Sequence, residues 1–263
     1  GESYAGKFVP ALAIKIHQVN RRASTFKVPI AGLIIASGFA DPEYMLEYSQ
    51  VLYGLGLIDT SERKKLELRQ DDVKSMVRSE KWCLAKVKLD HLFITVKDQI
   101  RGIGMFDYTN TYVQTHPPFV NFVCKNETRE RIHAHFEDKT EWTNLKKQAE
   151  FAEEMLMSVG EWIERLLDHY RVLFFNGHLD IMASHVLTQN FLEELHWKGA
   201  VQYALTKKKL WFVDGVVVGH YKEAGNLIDV VVFKAGHPVP IRQPKNALRL
   251  PFNLMLHNVE ENR

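Results

Sequence analysis

Three features of the 263-residue sequence predict an α/β fold interrupted by a mainly helical insertion. Pro29 to Ala36 is a short continuous apolar run bounded by Pro29 and Ser37-Gly38, the pattern of a strand buried on both faces. From about Asp41 to Leu167 the sequence becomes charged and mostly helical in pattern, and from Arg171 strand-like and helix-like runs alternate again.

In chain order, Tyr4, Phe8, Ala11, Leu12, Ile14, Ile16 and Val19 recur at helical spacing, so Ser3 to Val19 is expected to be a helix. Pro10 fits there only in the first turns. Within the charged block, Leu84 to Leu89 and Phe151 to Leu156 suit helices, while Gly102 to Cys124 is aromatic, Pro-containing and weakly periodic. The expectation is a helical cap over residues 60–167 with a loop-rich middle, inserted in one incomplete domain spanning 1–263. One domain suffices because folds of this kind run beyond about 200 residues. Val172 to Phe175 is a short apolar run ending in Asn176-Gly177, and Val186 to Trp197 suits an amphipathic helix. Leu210 to Val213, Val216 to Tyr221 and Asp229 to Phe233 read as strands, the first two joined by Asp214-Gly215, a hairpin signal. A helix from Pro244 to His257 closes the chain.

The charge balance of 34 basic against 32 acidic residues leaves +2, and the longest basic run is Lys207 to Lys209, which reads as a solvated turn. There is no basic stripe of the kind nucleic-acid binding needs, and no apolar stretch approaches the roughly 20 residues that span a bilayer. Cys83 and Cys124 could form one disulfide, or Cys124 could pair with a cysteine elsewhere. The first residue is Gly1 and a motif begins on it, so an upstream segment is expected.

That motif is Gly1-Glu2-Ser3-Tyr4-Ala5-Gly6, with small residues two positions either side of a serine and a helical pattern following. A nucleophile elbow has this form: the serine sits on a strained strand-to-helix turn, and the next N–H, here that of Tyr4, can hold a developing oxyanion. A serine hydroxyl needs a base, and the base needs an orienting group. In the α/β-hydrolase fold the order is Ser, acid, His, the last two on loops after later strands. Asp180 after Phe174-Phe-Asn-Gly-His-Leu, and His237 after Val230-Val-Val-Phe-Lys-Ala-Gly, meet that order. Other clusters are weaker: His133 and His135 at i, i+2 spacing read as a surface pair, His178 and His185 as packing or solvent-facing residues beside Asp180. Tyr108, Tyr112, Phe119 and Phe122 read as cap core or cap lining.

Residues 1 to 11, Gly-Glu-Ser-Tyr-Ala-Gly-Lys-Phe-Val-Pro-Ala, are similar to the signature of serine carboxypeptidases, with Phe8 where the family usually has Tyr. Asn176-Gly-His-Leu-Asp180 resembles the family's Asn-Gly-x-x-Asp, and Ala235-Gly-His-Pro-Val-Pro240 with Gln243-Pro244 resembles its Ala-Gly-His-Met-Val-Pro and Gln-Pro. Asp41-Pro42, Leu195-His-Trp-Lys-Gly199 and the helical insertion are similar to the vitellogenic-carboxypeptidase-like branch.

The resemblance implies an α/β-hydrolase with its N-terminal strands missing and a peptidase that removes C-terminal residues. Ser3 would be the nucleophile, His237 the base and then the acid, Asp180 the residue that fixes the imidazole. Glu2 would hydrogen-bond the C-terminal carboxylate of a peptide or protein substrate, which requires a proton between two carboxyl groups and so implies acidic working conditions. No metal or organic cofactor is implied. The family suggests a lysosomal, vacuolar or secreted glycoprotein, with Asn126-Glu127-Thr128 as a sequon, and a homodimer is left open. Pro238 in place of Met and Ser37 in place of Asn depart from the family pattern. Without its upstream strands the piece is expected to expose a sheet edge and to be inactive. The alternatives are a serine esterase or acyltransferase of the same fold, for which Glu2 has no use, and a non-catalytic binding homologue, which would not need Ser3, Asp180 and His237 together.

Overall fold

A computed structural model describes residues 1–22, 25–110, 118–134 and 151–251. The apolar run before Ser37 forms strand β1 (Gly32–Ala36), and β2 (Arg171–Gly177) lies parallel to it with Gly32 opposite Arg171. The hairpin signal holds: Asp214 and Gly215, both at positive φ, join β3 (Lys209–Val213) to β4 (Val216–Ala224), with Val213 paired to Val216. A second tight turn at Gly225-Asn226 returns the chain into β5 (Leu227–Val232), antiparallel to β4 and parallel to β2. The order across the sheet is therefore β1-β2-β5-β4-β3, which sets β2 and β5 side by side at its centre.

Helix α1 (Ala5–Arg22) packs against β1 and buries Gly6, Lys7, Pro10, Ala13, Ile14 and His17, a stripe at mostly three- and four-residue spacing. Pro10 lies inside this helix, in its second turn. Between β1 and β2 the regular elements among the described residues are helices: α2 (Tyr48–Gly54), α3 (Thr60–Arg78), α4 (Trp82–Gln99), α5 (Pro118–Val123), α6 (Asn126–Arg131), α7 (Ala152–Leu156) and α8 (Gly160–Leu167). A reciprocal capping box starts α3, the Asp59 carboxylate accepting from the Glu62 N–H and the Glu62 carboxylate from that of Asp59. Leu66, Val73, Leu89, Leu92 and Val96 of α3 and α4 are fully buried and continuous with Phe174 and Leu227 of the sheet, so these helices share its core. The opposite sheet face carries a smaller cluster around Leu173, Phe175, Ile228, Val230 and Val232.

After β2 come α9 (His185–Glu193) and α10 (Ala200–Leu205), and after β5 the short α11 (Val239–Arg242) and α12 (Pro244–Leu250). The helix expected to reach Trp197 stops at Glu193; beyond it the His196 N–H is taken by the Glu164 carboxylate of α8, which draws the chain off the helical path. Of the expected final helix, residues past Pro251 lie outside the described residues. Cys83, exposed on α4, and Cys124, half-buried after α5, are not joined to each other. Tyr108 packs against the main core whereas Phe122 is exposed; Tyr112 and the side chain of Phe119 lie outside the described residues. His133 is exposed at the end of α6, and His135 is likewise outside the described residues. Lys207 to Lys209 are solvent-exposed, as the charge pattern implied.

The central strands approach most closely just past their ends. A Cβ on Gly177 would lie 2.1 Å from the carbonyl oxygen of Gly236 and 2.5 Å from that of Ala235. No neighbouring side chain can swing away to relieve such a contact, because both atoms are backbone. Gly177→Ala in the full-length protein is therefore expected to cost about 1–3 kcal/mol, measured as a lowered urea midpoint; an unchanged midpoint would show that the two loops can part without penalty.

Candidate active site

Residues 1 to 3 run beside β1: Ala36 donates its N–H to the Gly1 carbonyl at 2.8 Å, and Ser3 donates to the Ala36 carbonyl at 2.9 Å. At Ser3 the backbone turns sharply into α1 with φ of 59°, the left-handed region in which a serine is uncommon. The turn lacks the full G-x-S-x-G form, since Ala5 holds the last position and Gly6 follows it. Gly6 is the glycine the packing demands, because a Cβ there would lie 2.5 Å from the Phe39 carbonyl oxygen. The Phe39 N–H in turn bonds the Ser3 carbonyl at 3.1 Å. Among the described residues no acceptor takes the Tyr4 N–H, so the amide after the serine is available to a ligand. The Tyr4 phenol is pushed up to about 12, first by burial and then by the Glu154 carboxylate. Glu2 is exposed beside the serine.

Asp180 and His237 meet across the ends of β2 and β5. The Asp180 carboxylate accepts from Nδ1 of His237 at 2.8 Å, and the two side chains are 0% and 5% exposed. His178 N–H to Val232 carbonyl (2.9 Å) and Leu179 N–H to Ala235 carbonyl (2.8 Å) tie the two loops together beneath that bond. Ser37, also at positive φ and 1% exposed, donates its hydroxyl to the His237 carbonyl at 3.0 Å. Ser3 is bonded to Ala36 and His237 to the next residue, so serine and imidazole occupy the same end of the sheet. No direct hydrogen bond joins the Ser3 hydroxyl to the ring. With one ring nitrogen committed to a carboxylate, the other nitrogen of His237 can exchange a proton with a nearby group, which is what acyl transfer through a hydroxyl requires.

Two neighbours were not singled out from sequence. The segment 105–108 threads between the loops: the Met105 carbonyl accepts from Ile181 (2.9 Å) and Met182 (3.0 Å), the Phe106 carbonyl from His237 N–H (2.7 Å), and Tyr108 donates to Leu179 (3.0 Å). The Phe106 ring stacks on the His237 imidazole with centroids 4.9 Å apart. Its stretch was read only as aromatic and weakly periodic, and nothing in that pattern marks which ring meets the histidine. The second is Lys7, 2% exposed, whose ammonium donates to the carbonyls of Ala40 (2.8 Å) and Met157 and lies over the Phe39 ring. Lys7 ties the elbow helix to the segment after β1 and to the end of α7. Among the described residues no group of three or more His, Cys, Asp or Glu side chains could hold a metal ion, and no helix is long and apolar enough to cross a membrane.

A serine at a strained turn, with an acid and a histidine on loops after later parallel strands, places this chain among the α/β-hydrolases. Kex1(delta)p, described as a prohormone-processing carboxypeptidase from Saccharomyces cerevisiae, superposes with a TM-score of 0.75 over 98% of this chain and 61% of its own, at 18% identity. The family model for serine carboxypeptidases matches residues 1–258, and the chain belongs to that family. It is 35% identical over 261 residues to the venom serine carboxypeptidase of Apis mellifera, and 34% identical over 257 residues to the vitellogenic carboxypeptidase of Aedes aegypti. It is 31% identical over 260 residues to the human protein named probable serine carboxypeptidase CPVL. These matches take in 95%, 93% and 94% of this chain but 55%, 54% and 54% of those proteins, so it spans about half their length.

Burial lowers the Lys7 ammonium to about 7 against the opposing pull of Asp41 and Glu154. Between that value and the ordinary lysine value the unfolded chain binds more protons than the folded one, so stability rises with pH through this window and the penalty is fully present below it. Lys7→Met is expected to lack that rise. Urea midpoints of wild type and variant at about pH 7 and about pH 9 check this; parallel changes in the two proteins would contradict it.

Proposed function

We propose that the full-length protein is a serine carboxypeptidase that releases C-terminal residues from peptides through an acyl-enzyme on Ser3. The observation that carries the reading is the buried 2.8 Å Asp180–His237 hydrogen bond at the same sheet end as a serine held at positive φ. Ser3 Oγ attacks the last peptide carbonyl while Nε2 of His237, the nitrogen Asp180 does not engage, takes its proton. The unclaimed Tyr4 N–H is placed to receive the negative charge that develops on the carbonyl oxygen. His237 then protonates the departing amine, leaving an ester on Ser3. Water, activated by the same imidazole, hydrolyses the ester and restores the hydroxyl.

Glu2 is assigned to the substrate's terminal carboxylate because it is exposed one residue from Ser3. A proton shared between two carboxyl groups makes acid the favourable condition. Residues 60–167 are assigned as the cap over this site, on the strength of α3 to α8 lying between β1 and β2. The names of the venom and vitellogenic relatives support a secreted or lysosomal setting, and Asn126 is exposed at the start of α6, where a glycan could be accommodated. The piece alone is expected to be inactive, since it spans about half the length of its relatives.

The deciding experiment compares release of the last residue from a free-acid peptide and from its C-terminal amide at about pH 5, using the full-length protein and its Ser3→Ala variant. Release from the free acid only, abolished in the variant, is expected. Release from neither peptide would remove the carboxypeptidase assignment and leave an esterase, an acyltransferase or a binding homologue.

A further inference from the structure

A second carboxylate–imidazole pair lies behind the first. Asp229, in the middle of β5 and 2% exposed, accepts from Nε2 of His185 at 3.1 and 3.0 Å through its two oxygens, and from the Tyr203 hydroxyl at 3.1 Å. Lys222 stands opposite Asp229 in the β4–β5 register, yet its ammonium sits 3.9 Å from the centroid of the Tyr203 ring and makes no ion pair with the carboxylate. A buried carboxylate without partners is costly, so Asp229 holds His185 to its position and the reverse. Burial alone would raise the Asp229 carboxyl; His185, Lys208 and Tyr203 overcome it and keep the group below the usual range.

The two pairs are reciprocal. The segment after β2 lends Asp180 to His237, carried by the extension of β5, while β5 lends Asp229 to His185, carried by the segment after β2. Between Asp180 and His185 the chain is pinned by the Asp180 carboxylate accepting from Ala183 N–H (3.2 Å), by Asn176 donating to the Ala183 carbonyl (2.7 Å) and by the Tyr48 hydroxyl donating to the Met182 carbonyl (2.8 Å). Ser184 caps α9 through the Val186 N–H. His185 and Asp180 are thus the two ends of one short hydrogen-bonded segment, each end held by a partner on β5 or its extension.

We propose that His185 and Asp229 are positioning residues that hold Asp180 against His237, a role that rests on the serine-hydrolase reading of Ser3, Asp180 and His237. In the full-length protein, His185→Gln and Asp229→Asn are each expected to lower the rate of Ser3 phosphonylation by a fluorophosphonate roughly 10- to 100-fold. On a free-acid peptide kcat should fall in parallel while KM stays within about 2-fold, a split that general loosening of the fold would not give. Should either variant fail to fold by circular dichroism, Tyr203→Phe, which removes one donor from Asp229 and keeps the pair, is measured instead and should show a smaller loss of kcat with the same KM. Folded variants that react at the wild-type rate would overturn the positioning role and leave the catalytic reading intact. A wild-type Ser3 inert to the probe would overturn the catalytic reading, and this role with it.

Discussion

The arrangement depends on how closely two loops can approach at the centre of the sheet. β2 and β5 are parallel neighbours, yet they come from distant parts of the chain, and only their last residues bring Asp180 and His237 together. The approach is steep: Gly177 leaves no room for a Cβ against the Gly236 carbonyl, and two backbone hydrogen bonds close the gap directly beyond it. A parallel pair cannot be closed by a hairpin, so the connection from β2 to β5 runs through α9, α10 and the β3–β4 hairpin. Those elements hold the strands side by side, and the two loops inherit a fixed separation.

Buried charge is handled differently at each place it occurs. Asp180 has an imidazole and a backbone N–H, Asp229 has an imidazole and a phenol, and Lys7 has two carbonyls and an aromatic face but no direct carboxylate contact. A buried carboxylate that accepts hydrogen bonds from well-placed donors can be held in its charged form, whereas burial drives an ammonium whose hydrogen bonds all go to carbonyls toward its neutral form, more distant carboxylates notwithstanding. That contrast separates the lowered Lys7 from the lowered Asp229, which moves toward the charged form despite full burial. Each group also bridges segments far apart in sequence, so the same contacts that offset desolvation define the tertiary arrangement around Ser3.

Much of this could be read from the chain. The runs at Pro29 to Ala36, Val172 to Phe175 and Asp229 to Phe233 mark the strands observed at Gly32–Ala36, Arg171–Gly177 and Leu227–Val232, the first because a strand buried on both faces reads as continuously apolar, and the Asp214-Gly215 turn follows from local chemistry. Asp180 and His237 stood out because each follows an apolar run, and Ser3 because small residues flank it and a helical pattern follows. The segment 105–108 did not, since its contribution is made by backbone carbonyls and one ring, and neither leaves a periodic trace. His185 was taken for packing or a solvent-facing residue because its partner Asp229 is 44 residues away inside an apolar strand, where pattern reading sees only the strand. Cysteine pairing was illegible for a related reason: counting cysteines gives candidates but no information on whether α4 and α5 bring Cys83 and Cys124 together, and the two are not joined.

Two of the departures that the sequence resemblance implies, Ser37 and Pro238, meet at one atom. The His237 carbonyl that accepts the Ser37 hydroxyl is the one amide-linked to Pro238. Proline supplies no N–H and fixes its own φ, here −82°, so the backbone leaving His237 has fewer options than a Met would allow. The same carbonyl also receives the Val239 N–H at 3.1 Å, which places both of its lone pairs in use. Ser37, Pro238 and Val239 thereby fix the backbone of the histidine, while Asp180 and Phe106 fix its ring. Restraint of the backbone and of the ring comes from separate residues, so the chain after His237 can diverge from the family pattern while the imidazole keeps its partner.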